Sequence, residues 1–291
     1  MSIYIWLLLA GFFWGTNVIV MKLLLLEIPF LLLATMRVLI SCLFIFLYMK
    51  MKKISFQYHN HFHALIIGIL AIYLNFLFTF LGMSEVKGID NAFMNALAPI
   101  LTFIFSLFLL KHKGTNKEYI ALFLSVFAFL LSIHFQVFNI KIGFYYLFIG
   151  MLLYMLGNVL IQKWELSHSL TLVFYELLYG FIFLFIHCLY KGQLKFNAFV
   201  QVPLLHWFLF VIVSGIGFAF IQVIYMKSIE KIGALKTSFY LSLNPMITYV
   251  ESLLFLREKF DVFHFVGFII LGVAIYMIQK ERNQMDCIRK S

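Results

Sequence analysis

Long runs of apolar residues, separated by short polar connections, follow one another along the whole sequence. A helix needs about 20 apolar residues to cross the hydrocarbon core of a bilayer. These runs are too long and too uniformly apolar for the alternating pattern of membrane β-strands. The sequence therefore predicts an all-α membrane protein with ten transmembrane helices around a central cavity. The helices are expected at residues 3–25, 30–49, 62–82, 90–110, 118–135, 142–162, 169–190, 205–226, 234–256 and 263–279.

The balance of apolar and charged residues excludes several other classes of protein. Hydrophobic residues make up 64% of the chain and charged residues only 12%, whereas about a quarter of a soluble domain is charged. This composition excludes a disordered chain and a soluble globular enzyme. The formal net charge of +10 would suggest nucleic acid in a soluble protein, but too few residues are exposed here to form a basic groove. We therefore expect the lipid bilayer, and no nucleic acid, as a partner.

The distribution of Lys and Arg predicts the orientation of the chain. If the N-terminus lies in the cytoplasm, the inner connections hold twice as many basic residues as the outer connections. Basic residues are enriched on the cytoplasmic side of membrane proteins. The sequence therefore predicts a multi-pass protein of the cytoplasmic membrane with both termini in the cytoplasm and an even number of helices.

The two halves of the sequence resemble one another. Asn17–Lys22 (NVIVMK) is similar to Asn158–Lys163 (NVLIQK), and Ala96–Pro99 (ALAP) is similar to Ser242–Pro245 (SLNP). Each half contains five predicted helices, and an odd number makes the second half enter the membrane from the opposite side. The sequence thus predicts two inverted five-helix repeats around a central cavity, an architecture of many secondary transporters. The repeats would be residues 1–141 and residues 142–291, the second ending in a short basic cytoplasmic tail.

Several of these motifs resemble one known family. Phe13-Trp14-Gly15-Thr16-Asn17 looks like the Trp-Gly-small-Asn signature of the EamA-type branch of the drug/metabolite transporter superfamily, and Arg37 matches its usual arginine position. The stretches 91–110 and 233–258 resemble its fourth and ninth helices. The resemblance covers residues 3–279 and implies ten helices, inverted repeats, a central substrate cavity and export of amino acids or related metabolites.

The sequence departs from this family pattern at two places. Met155 in the second half stands where the first half has Trp14. The fourth helix ends in Leu110-Lys111-His112 and lacks the acidic residue that Glu258 supplies after the ninth helix. A symmetric gating role for that position is therefore not expected.

Two prolines mark the expected binding site. Pro99 and Pro245 lie midway along the fourth and ninth predicted helices. A proline inside a helix removes a backbone hydrogen bond, and matching interruptions in both halves are a pointer to the binding site of a transporter. The alternative is that both prolines are kinks that only help helix packing.

Polar residues form a stripe beside each proline. Such stripes are costly in contact with lipid, so both should face inward. They either contact the substrate or only join helices by hydrogen bonds. Aromatic residues deep in the membrane, including Tyr73 and Tyr154, can stack on a substrate or hold a cation. The candidate substrate-binding residues are Trp14, Asn17, Asn91, Asn95, Asn158, Tyr175, Tyr240 and Asn244.

Arg37, Glu176 and Glu251 lie within predicted spans, at least five residues from either end. From the 1.5 Å rise per residue, Arg37 lies roughly 10 Å and Glu251 roughly 8 Å below the outer ends of their helices, so these two residues are expected to pair. Glu176 has no acid or base at its own depth. It is therefore a candidate for a proton-titrating or cation-contacting carboxyl group, the alternative being a structural Glu held by amides.

The function that unites these features is secondary active transport of a small metabolite by alternating access, with protons or another ion as the expected energy source. The chain has no nucleotide-binding loop. Import of a small cationic or aromatic metabolite is the alternative. An intramembrane lipid-modifying enzyme would need a catalytic cluster that the sequence lacks. No cysteine or acidic residue accompanies the histidine run His59, His61 and His63, so we expect neither a metal nor a cofactor.

Overall fold

The computed structural model describes residues 3–95, 97–132, 141–166, 169–194, 202–241 and 244–290, and this part of the chain consists of helices and their connections. Its first half contains six helices, and six more follow in the second half. The first six are α1 (Ile3–Leu24), α2 (Phe30–Met51), α3 (His61–Glu85), α4 (Gly88–Asn95), α5 (Ala98–Leu109) and α6 (Asn116–Ser132). The second six are α7 (Ile142–Lys163), α8 (Ser169–Tyr190), α9 (Leu204–Ile232), α10 (Ala234–Leu241), α11 (Asn244–Phe255) and α12 (Val262–Lys290).

The helices have the length and surface of membrane spans. Within the described residues, seven helical stretches are long and apolar enough to cross a bilayer, and a shorter apolar helix covers Val262–Ala274. Phe108, Phe123 and Leu254 point outward with 78%, 70% and 68% of their surfaces exposed. Such side chains suit contact with lipid, where the backbone must satisfy its own hydrogen bonds within helices. The predicted class, a helical membrane protein, is thereby confirmed.

Helices of the first half pack mainly against helices of the second half. α1 lies against α9 and α11, and α7 lies against α3 and α5 in the same way. Two further pairs, α2 with α8 and α6 with α12, join equivalent helices of the two halves. Each pairing therefore recurs when every helix is replaced by its equivalent in the other half. Helices of both halves meet at the centre of the molecule.

Glycines allow the closest of these approaches. A Cβ atom on Gly15 of α1 would lie 2.9 Å from a side-chain carbon of Ile247 in α11. A Cβ atom on Gly68 of α3 would lie 2.7 Å from the backbone oxygen of Glu176 in α8. Gly68 also begins a π-helical segment, Gly68–Leu74, and α9 contains a similar segment, Phe210–Ile216. Short π-helical segments within α-helices often occur at functional sites.

The last helix extends beyond its predicted end. The apolar run stops near residue 279, whereas α12 continues to Lys290. The predicted end marks where apolar residues give way to polar ones, but helical hydrogen bonds do not require apolar side chains and no Pro or Gly interrupts this segment. The basic tail therefore belongs to the helix.

Candidate functional site

A narrow cavity lies at the centre of the helices. It holds about 80 Å³, so the surrounding helices must separate before anything larger than a few water molecules, at about 30 Å³ each, can bind. Side chains from both halves line it, on α1–α5, α7 and α9–α11. The cavity adjoins the end of α4 at Asn95 and the start of α11 at Asn244. Six predicted site residues meet there, namely Trp14, Asn17, Arg37, Asn91, Asn95 and Asn244.

The asparagines of the cavity differ in what they bind. Asn17 donates from Nδ2 to the backbone oxygen of Val213 in α9, at 3.2 Å. Asn91 is buried, and its Nδ2 has no hydrogen-bond acceptor within the described residues. The Oδ1 of Asn244 likewise has no donor in this part of the chain. Asn91 and Asn244 thus line the cavity with buried amide atoms that lack a partner in the described residues, the Oδ1 of Asn244 lying beside Gly11 of α1, while Asn17 helps to hold α1 on α9.

Arg37 is the charged residue among the described residues that line the cavity. Its side chain comes from α2 and is 9% exposed. The guanidinium carbon lies 4.2 Å from the ring centre of Phe218 and 4.8 Å from that of Phe76. Aromatic faces attract a cation at such distances, so these rings hold the guanidinium at the cavity wall.

Aromatic rings form another wall of the cavity. The ring centre of Tyr154 lies 5.6 Å from Trp14 and 5.9 Å from Tyr225. These spacings are typical of tilted aromatic pairs. Tyr225 was not predicted, because its position in α9 belongs to no motif and its neighbours are as apolar as those of a lipid-facing residue.

A chain of hydrogen bonds leads from this wall to Glu176. The hydroxyl of Tyr154 donates to Oε1 of Gln222 at 2.9 Å, and Nε2 of Gln222 donates to Oε1 of Glu176, also at 2.9 Å. Glu176 and Gln222 are fully buried. The other carboxyl oxygen of Glu176 has no partner within the described residues. Glu176 therefore lies behind the cavity wall and is connected to it through two side chains.

Other predicted site residues lie away from the cavity. Tyr175 donates from its hydroxyl to the backbone oxygen of Phe56 at 2.7 Å, and its ring stacks on Tyr58. Asn158 is buried one turn after Tyr154 and is not among the residues that line the cavity. The backbone of Tyr240 belongs to α10, but its side chain lies outside the described part of the structure.

The two prolines stand at the second positions of α5 and α11. Leu97, two residues before Pro99, is the N-cap residue of α5. Residues 242–243, just before α11, lie outside the described residues. A proline in the first turn of a helix costs little, because its missing N–H group would have no partner within the helix. The prolines therefore begin helices beside the cavity, whereas the sequence placed them midway along helices.

The predicted pair between Arg37 and Glu251 is wrong. Oε1 of Glu251 accepts a hydrogen bond from the hydroxyl of Thr16 in α1 at 2.8 Å. Arg37 forms no ion pair with any carboxylate in the part of the chain that the structure describes. The two residues were matched by depth, but depth does not determine which neighbour a helix turns a side chain towards.

The described residues contain no group of three or more His, Cys, Asp or Glu side chains that could hold a metal ion. His61 instead contacts the hydroxyl of Tyr179 at 3.0 Å, and His63 packs against Trp164. The arrangement at the cavity is therefore suited to non-covalent binding of a small molecule, with a charged group, amides and aromatic rings around it.

Comparisons with known proteins agree with this geometry. Residues 1–133 and 141–279 match the EamA-like transporter family. The chain is 26% identical over 223 residues to the uncharacterized transporter YyaM of Bacillus subtilis (strain 168), covering 72% of this chain and 70% of that protein. A solved crystal structure with 11% identity superimposes with a TM-score of 0.69, covering 96% of this chain and 98% of the other, and this likeness concerns the fold alone.

Proposed function

Because the chain belongs to the EamA-like transporter family, we propose that it is a secondary active transporter that exports an amino acid or related small metabolite by alternating access. The observation that carries this proposal is the central cavity, which is lined by polar and aromatic side chains from both halves of the chain. A site shared between two halves opens to either side of the membrane when one half rocks against the other.

The proposed architecture is ten membrane spans in two inverted five-helix repeats, residues 1–141 and residues 142–291. In this arrangement α4 with α5, and α10 with α11, each form one span. The matching order of helices, the pairings that exchange between the halves and the two family matches support it. If both termini lie on the cytoplasmic side of the cell membrane, most Lys and Arg residues of the connections also lie on the cytoplasmic side, as is usual for membrane proteins.

We also propose that proton movement at Glu176 drives transport. A buried carboxyl group costs much less free energy when protonated than when charged, so its protonation state affects the packing around it. Gln222 and Tyr154 connect this carboxyl group to the cavity. Substrate in the cavity and a proton on Glu176 would therefore influence one another.

Import of a small aromatic metabolite is the second candidate. The rings of Trp14, Tyr154 and Tyr225 around the cavity favour an aromatic or apolar substrate group. A cationic substrate is disfavoured, because no acidic residue is among the described residues that line the cavity. Nothing in the described cavity favours a lipid-modifying enzyme over a transporter.

Counterflow in proteoliposomes tests the proposed function. The purified protein is reconstituted, the vesicles are loaded with one unlabelled amino acid, and entry of the same labelled amino acid is followed for a panel of amino acids. We expect rapid exchange of at least one member, without turnover of the lipids, and no exchange in empty liposomes. Lipid turnover without exchange would replace the transporter by an enzyme.

A further inference from the structure

We propose that Arg37 binds a carboxylate group of the substrate. The apolar part of the same substrate lies against the aromatic rings next to Arg37. This inference rests on the proposed function because it names the substrate class of the same cavity.

The first support is the unbalanced charge of Arg37. A guanidinium carries five N–H donors and stays protonated in proteins. Arg37 is more than nine-tenths buried, yet no hydrogen bond or ion pair joins it to the residues that the structure describes, and its buried Nε has no acceptor. Contacts with Phe76 and Phe218 offset part of the cost of burying the charge, but aromatic rings do not satisfy in-plane N–H donors.

The second support is that no acidic side chain among the described residues competes for Arg37. Glu176 accepts from Gln222, and Glu251 accepts from Thr16, so both of these acidic residues have other contacts. No Asp or Glu is among the described residues lining the cavity. The cavity therefore has a net positive charge, and a bound carboxylate would neutralise it.

The third support is a second unused donor in the same cavity. Nδ2 of Asn91 is buried without an acceptor in the described part of the chain. A carboxylate has two oxygens and accepts several hydrogen bonds, including the paired donors of a guanidinium. Arg37 and Asn91 thus both line the cavity and both carry a buried donor without an acceptor in the described residues, whereas an ammonium group would be repelled by Arg37.

The fourth support is the shape of the wall around Arg37. Phe76, Phe80 and Phe218 surround the guanidinium, and Trp14 and Tyr154 lie on the same cavity. These rings suit the apolar part of a small amphipathic acid. The expected substrate is therefore a small monocarboxylate with an apolar or aromatic side chain; an amino acid would have to place its ammonium group away from Arg37.

Matched ligands test the inference on the purified wild-type protein. Thermal unfolding is measured in the presence of three carboxylates, L-phenylalanine, L-leucine and 3-phenylpropanoate. It is measured again with the corresponding amides, in which a carboxamide replaces the carboxylate, and with phenethylamine, which lacks the carboxylate. We expect carboxylates to raise the melting temperature and to bind about tenfold to a hundredfold more tightly than their amides. Equal or better binding of the amides or of the amine, or no binding of any carboxylate, would overturn the inference.

Variants then locate the effect. Arg37→Gln should abolish the preference for carboxylates, and Arg37→Lys should keep the charge but weaken binding, since Lys lacks the planar pair of donors. Lys191→Gln removes one positive charge from the exposed end of α8 and should leave the preference unchanged. If Arg37→Gln kept the full preference for carboxylates, Arg37 would not be the anion site. If Arg37→Gln does not fold, the inference is tested by the binding of carboxylates to Arg37→Lys and by the ligand series on the wild-type protein.

The counterflow assay separates this inference from the proposed function. Exchange of amines or neutral compounds, but not carboxylates, would leave the transporter in place and remove Arg37 as the anion site. Binding of carboxylates that depends on Arg37, without any exchange, would leave the anion site and remove the transporter.

Discussion

Glu176 is the residue whose surroundings best separate a role in coupling from a role in folding. Glu176→Gln retains a side-chain oxygen that can accept from Gln222 but cannot exchange a proton. We expect this variant to fold, to lose transport driven by a proton gradient and to keep exchange of substrate for substrate. Both modes are measured in proteoliposomes, per folded molecule, over a series of pH values.

Glu251→Gln is the matched control for this experiment, because Glu251 is bonded to Thr16 and is not part of the chain from Tyr154 to Glu176. It should retain gradient-driven transport. Unchanged flux of Glu176→Gln at every pH would show that Glu176 does not couple transport to protons.

Replacement of Gln222 is expected to lower the thermal stability of the protein. Gln222→Leu leaves the hydroxyl of Tyr154 and the carboxyl group of Glu176 without the partner they share. A buried polar group without a partner costs about 1–3 kcal/mol, so the melting temperature should fall clearly. Gln57→Leu makes the same chemical change in an exposed connection and should have little effect. Equal melting temperatures of the two variants would contradict the importance of the bridge.

At the scale of the elements, the crossing of α3 and α8 depends on glycine. A Cβ on Gly68 would lie 2.7 Å from the backbone oxygen of Glu176. A backbone atom cannot shift without the helix to which it belongs. We expect Gly68→Ala to force the helices apart and to destabilise the protein by about 1–3 kcal/mol. The measurement is thermal unfolding in detergent.

Gly272 of α12 is the control for this crossing. It has no heavy atom within 4 Å of an added Cβ, and alanine favours a helix by about 1 kcal/mol over glycine. Gly272→Ala should therefore leave stability unchanged or raise it. A Gly68→Ala variant as stable as Gly272→Ala would mean that the crossing is looser than the structure indicates.

At the scale of the whole molecule, the positions of the connections predict which residues reagents can reach from outside. Lys191 follows α8 on the expected outer side, and Lys113 lies between α5 and α6 on the expected inner side; both are exposed. In a chain with Cys287→Ser, a membrane-impermeant maleimide should label Lys191→Cys on intact cells. It should label Lys113→Cys only after the membrane is opened. The reverse result would invert the proposed orientation.

The buried cysteines allow this experiment, because Cys42 and Cys188 are shielded by neighbouring side chains. The unsubstituted background, carrying only these two cysteines, should remain unlabelled. Strong labelling of that background would show that α2 and α8 open more than their packing indicates.

The sequence by itself determined the class of the protein and the family. Both depend on local features, namely the length of apolar runs and short motifs such as Trp14 to Asn17. These features can be recognised in the sequence without knowledge of the fold. It also identified six residues that line the cavity, because polar groups in a membrane helix are costly on the lipid side and so turn inward.

Only the tertiary structure decided which inward residues meet. Arg37, Glu176 and Glu251 all lie within helices, and sequence position indicates their depth at 1.5 Å per residue. The rotation of each helix and the choice of its neighbours depend on packing across the two halves, and this packing places Arg37 in the cavity and Glu251 on Thr16. It also brings Gln222 between Tyr154 and Glu176, which are far apart in the sequence, so no local pattern marks the bridge.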